Sequence, residues 1–101
     1  MVIYRDDNAE AARTIWLSLQ DDRVNMTEQD VGPLVERLRG RNASERFLSR
    51  INVEEVKRIL GVTTDSEMMD TLAEMFGRNS GFDDFAYFLK QHELEFEAGF
   101  Y

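Results

Sequence analysis

An all-α chain is what the sequence predicts, and three observations carry the prediction. Apolar residues recur at helical spacing, as in Met68, Met69, Leu72, Met75 and Phe76. Five times a capping side chain precedes an acid by three positions: Thr27 and Asp30, Asn42 and Glu45, Asn52 and Glu55, Thr64 and Glu67, Ser80 and Asp83. At a helix start such a side chain accepts from an orphan amide, and the acid complements the positive helix end. Alternating apolar and polar residues extend for no more than a few positions, and only one proline punctuates the chain.

Taken in order, the predicted helices are 7–20, 28–39, 43–49, 53–60, 65–76 and 83–95. Ile15, Trp16 and Leu19 share a face of the first; Leu34, Val35 and Leu38 share one in the second. Val53, Val56, Ile59 and Leu60 stripe the fourth, and Phe85, Phe88 and Leu89 the sixth. Gly40 and Gly61 follow the second and fourth as stops. Pro33 puts the start or a kink of the second near Asp30, because a proline deeper in a helix costs about 3 kcal/mol.

Composition bounds the function. The 101 residues suffice for one domain, 1–101, and 43% hydrophobic content allows a packed core. Twenty acids against 12 Lys plus Arg give a formal charge of -8, which disfavours nucleic acid and favours a basic peptide or helix as partner. No cysteine means no disulfide or thiolate metal site, and His92 is the only histidine. No apolar run reaches the roughly 18 residues of a membrane span. The N-terminal MVIYRDDNAE lacks a signal-peptide core, so the cytoplasm is the expected compartment.

Two of the capping signals directly follow an apolar residue, Met26 and Ile51, and Phe82 precedes Asp83 in the same way. With "MTEQDVGPLVERLRG", "INVEEVKRILG", "VTTDSEMMDTLAEMFG" and "GFDDFAYFL", this resembles the exiting and entering helices of the calmodulin and myosin light chain superfamily. The resemblance implies an EF-hand-like lobe, best matched over 43–95, with further helices before it. It implies a short backbone bridge between Ile51 and Phe82, and a partner-binding face of Met68, Leu72, Met75, Phe85, Phe88 and Leu89. The implied partner is an amphipathic basic helix of the IQ type in a larger protein such as a myosin heavy chain.

Calcium is not expected. Leu19, Arg23 and Phe76 stand at would-be ligand positions, and "SERFLSR" before Ile51 offers no ligand series, whereas calcium takes six to eight oxygens. No cofactor, metal or catalytic residue is assigned. The paired acids Asp21, Asp22, Asp83 and Asp84 read as capping and solvated groups, Trp16 as a core anchor and His92 as a surface residue. Ser66 lies in a helix-start signal that explains it without a phosphopantetheine arm. The tail "HELEFEAGFY" folds back or docks a partner; the sequence leaves both open. The expected function is a non-catalytic, calcium-independent light chain; the alternative is a small acidic helical adaptor unrelated to EF-hands.

Overall fold

The structure, a computed structural model, describes residues 1–41 and 43–100. Strands β1 (Val2–Asp6), β2 (Ala12–Gln20) and β3 (Arg23–Val31) come first, followed by helix α1 (Pro33–Arg39) and strand β4 (Ala43–Asn52). Helices α2 (Val53–Leu60), α3 (Asp65–Phe76) and α4 (Gly81–Gln91) precede a last short strand, β5 (Glu97–Phe100). The strands form one antiparallel sheet in the order β1-β2-β3-β4-β5. This overturns the all-α, EF-hand-like expectation: the predicted helices 7–20 and 43–49, and the start of 28–39, fall largely on strands.

The physical reasons are local. In β2, Ile15 and Leu17 point into the core while Thr14 and Ser18 lie on the other face, so the period is two. In β3, Val24, Met26 and Glu28 are buried at alternate positions, and a charged third member hides the alternation from a hydropathy reading. In β4 the register shifts opposite Val24 and Met26, which separates the inward Leu48 and Ile51 by three residues, a helical spacing produced by a β-bulge. Arg50, at φ 61, sits in that bulge, and its amide donates to Asn25 Oδ1 at 3.2 Å.

Asp21 and Asp22, at φ 52 and 57, form a two-residue turn closing the Gln20–Arg23 pair. Positive φ at both central residues matches the right-handed strand twist. These acids cap no helix, and Thr27 and Asp30 lie inside β3. Two of the five capping signals do what they promise. Asn52 Oδ1 accepts from the Glu55 amide at 3.0 Å, and Thr64 and Glu67 make a reciprocal capping box. Ser80 precedes α4, but its hydroxyl donates to Asp84 Oδ2 rather than capping the helix. Asn42 lies outside the described residues. Pro33 occupies the first helical position of α1, where its missing N–H is no loss, and Gly40 and Gly61 end α1 and α2 at φ 75 and 71.

One face of the sheet carries the core. Ile15, Leu17, Val24, Met26, Leu48 and Ile51 meet Val56 of α2, Met68 and Leu72 of α3, and Phe85 and Leu89 of α4. Burying each such side chain is worth roughly 1.5–3 kcal/mol. The Phe76 ring lies 5.0 Å from that of Phe85 and 5.6 Å from that of Phe88, joining α3 to α4. The opposite face carries Thr14, Trp16, Thr27 and Phe47, none of them in the core. Trp16, expected as a core anchor, pairs with Thr27 on that face. Among the described residues, no helix is long and apolar enough to cross a membrane.

Candidate interaction surface

The face expected to grip a partner is mostly interior. Met68, Leu72, Phe85 and Leu89 are each 0% exposed, and Phe88 is half-buried against the core; of the six, only Met75 is exposed. The expected bridge is replaced by other pairing: Ile51 pairs with Val24 inside the sheet, and Phe82 stands in the first turn of α4. Both side chains are buried. The EF-hand-like and calmodulin-like reading therefore does not hold, and the loop positions assigned to degenerate calcium ligands lie in strands, turns and a helix end.

What the sheet does assemble is a charged cluster on its core-facing side, beyond the apolar part. Glu28, 3% exposed, is the one charged side chain buried among the described residues. Arg46 of β4 donates Nε and Nη2 to its Oε1 at 3.0 and 2.8 Å, and Nη1 to Asp83 Oδ1 at 3.0 Å. The Arg46 guanidinium lies 4.3 Å from the Phe82 ring centroid. Arg13 of β2 grips both oxygens of Asp30 at 2.8 and 2.9 Å and reaches the Asn79 carbonyl at 3.1 Å. Its Nη1 stands 3.5 Å from Glu28 Oε2, a buried oxygen without a hydrogen bond.

The cluster fastens the α3–α4 loop to three strands. Burial pushes the Glu28 carboxyl above its ordinary value, against the pull of Arg46 and Arg13. Hydrogen bonding to Asp30 raises Arg13. For Arg46, burial works downward, but Asp83 and Glu28 outweigh it and hold the guanidinium charged. The sequence signal for the cluster is the parity of β3, which puts Glu28 on the same face as Val24 and Met26.

A second charged region lies at the other end of the strands, around the β2–β3 turn. A groove of about 350 Å³ is lined by Arg23, Arg50, Asn52, Glu55, Glu93 and Glu95. Glu93, at φ 56, ends α4 in the left-handed conformation, with the next amide, Leu94, donating to the Leu89 carbonyl at 2.9 Å. Leu94 is buried, and this turn carries the acidic tail back toward β4, where Glu97 pairs with Arg50 at 3.4 Å. The tail therefore folds back as β5, pairing Phe100 with Arg46; Tyr101 lies outside the described residues.

No protein-family model, no curated protein and no solved structure matches the chain.

Proposed function

We propose that this chain is a non-catalytic binding protein that docks on a basic segment of a partner protein in the cytoplasm. The observation that carries the reading is the groove by the β2–β3 turn. Glu55, Glu93 and Glu95 line it against Arg23 and Arg50, and Arg50 is already engaged by Glu97. The neighbouring turn adds Asp21 and Asp22, whose side chains enter no ion pair among the described residues. An overall charge of -8 draws a cationic partner over distances near the Debye length and speeds its encounter.

The partner's lysines and arginines meet these carboxylates, and a basic amphipathic helix remains the simplest segment that presents several together. The helix is not clasped by the Met68 to Leu89 side chains, which support the fold from within. The test is affinity isolation from the native cell extract with the wild-type chain and with Glu55→Lys, Glu93→Lys and Glu95→Lys combined. A basic protein retained by the folded wild type, lost from the folded variant and released by salt is the expected result. Equal retention by both chains, or a retained partner with an acidic contact surface, defeats the reading.

A further inference from the structure

The groove between α1, α4 and the β4–β5 edge has a different character from the rest of this acidic molecule. It encloses about 420 Å³, and Arg39, Ser44, Arg46, Phe82 and Phe100 are among its walls. That volume falls in the range of roughly 300–1,000 Å³ typical of small-molecule sites, which combine mostly apolar walls with a few converging polar groups. Here the polar groups are two guanidinium groups and one hydroxyl.

The charges can be assigned. Arg46 is neutralised by Glu28 and Asp83, and the adjoining Arg13 by Asp30 and Glu28. Arg39 ends α1 with no hydrogen bond or ion pair among the described residues, so the groove holds one uncompensated positive charge. The walls supply the rest of the specificity. Phe82 is buried under the Arg46 guanidinium at 4.3 Å, and that guanidinium is held in place at the groove by Glu28 and Asp83. Phe100 is 76% exposed at the groove, an apolar area that a bound ring would remove from water.

We propose that this groove binds a small aromatic monocarboxylate, its carboxylate on Arg39 and Ser44 and its ring against Phe100 and the Arg46 guanidinium that covers Phe82. Among the described residues lining the groove, Arg39 is the one cation without an ion pair and matches one negative charge, and exposed Phe100 with the Arg46 guanidinium matches a flat apolar body. Charge-assisted hydrogen bonds from a guanidinium are about twice as strong as neutral ones, so the carboxylate decides the affinity. The site stands apart from the Glu55, Glu93 and Glu95 groove and does not depend on the basic-partner reading.

The experiment is an amide-resolved NMR titration of the full chain with indole-3-acetate, and in parallel with the neutral indole-3-acetamide. Saturable shifts centred on Arg39, Ser44, Arg46 and Phe100 are expected, with the amide about tenfold weaker. Arg39→Gln, at the exposed end of α1, is expected to weaken the acetate by a similar factor and leave the acetamide unchanged. Equal affinity for the two ligands on the wild-type chain overturns the proposal whether or not the variant folds. So does saturation centred elsewhere, absence of saturable shifts at millimolar ligand, or a peptide ending in phenylalanine binding much more tightly than the free carboxylate.

Discussion

Arg46 closes its Nε and Nη2 on one oxygen of Glu28, and the other oxygen of that carboxylate is buried without a hydrogen bond, 3.5 Å from Arg13. Breaking such a pair leaves an uncompensated buried charge. Arg46→Ala is expected to destabilise the fold by about 3 kcal/mol. Replacing both partners by leucine recovers most of that loss, because the desolvation penalty disappears with the charges. Urea unfolding of Arg46→Leu, Glu28→Leu and the double leucine variant checks the coupling. Strict additivity of the two single effects would refute it.

The pH dependence divides by sign. Hydrogen bonds from Thr64 and Thr63 hold the Glu67 carboxyl below its ordinary 4.5, so its contribution is present above that value and lost as the pH falls through its lower folded pKa. Ser80 and Arg78 act on Asp84 in the same direction, below 3.8. Glu28 has the opposite sign. Its raised folded pKa means that its contribution is complete below 4.5 and is lost as the pH rises through the higher folded value. Glu67→Gln should flatten the stability profile below pH 4.5, and Glu28→Gln should change its slope above that value. Parallel profiles for wild type and both variants would contradict the assignment.

The Asp21–Asp22 turn holds two non-glycine residues at positive φ. Glycine adopts that conformation without a Cβ penalty, and an Asp-Gly pair suits a two-residue hairpin. Asp22→Gly is expected to stabilise by about 0.5–1 kcal/mol. A domain of this size then melts several degrees higher. A lower melting temperature would show that the Asp22 side chain contributes more than its backbone strain removes.

Gly81 opens α4 directly against the carbonyl oxygen of Phe76, where a Cβ would overlap backbone that has no rotamer to escape into. Gly81→Ala should therefore destabilise by about 1–3 kcal/mol. Gly61→Ala meets open space and loses only the ease of a positive φ, at φ 71. Comparable thermal melts for the two variants would argue that the α3–α4 turn adjusts freely.

Two methionines on α3 separate core from surface. Met68 is 0% exposed and Met75 is 38% exposed. Met68→Ala is expected to cost about 2–5 kcal/mol through lost burial and a residual cavity, whereas Met75→Ala stays within about 1 kcal/mol. Circular dichroism during chemical unfolding distinguishes them. Equal losses would place Met75 in the core.

The sequence by itself determined the helices whose signals are purely local. Asn52 with Glu55 and Thr64 with Glu67 cap α2 and α3, and Gly61 ends α2, because each device acts within a few residues of its own position. The sequence also displayed the acidic excess that motivates a basic partner. Only the tertiary structure decided the sheet. A bulge at Arg50 turned the period of two into the three-residue spacing of Leu48 and Ile51, and Glu28 occupied an inward position that an apolar residue would have advertised. Glu28 is tolerated there because Arg46, 18 residues away, reaches it across the sheet. The same distance effect hid the Arg39, Phe82 and Phe100 groove, whose walls come from α1, α4 and β5 and share no local pattern. Caps and stops are written in neighbouring residues; strand pairing and charge compensation are long-range contacts, whose energy appears only once the chain has closed its loops.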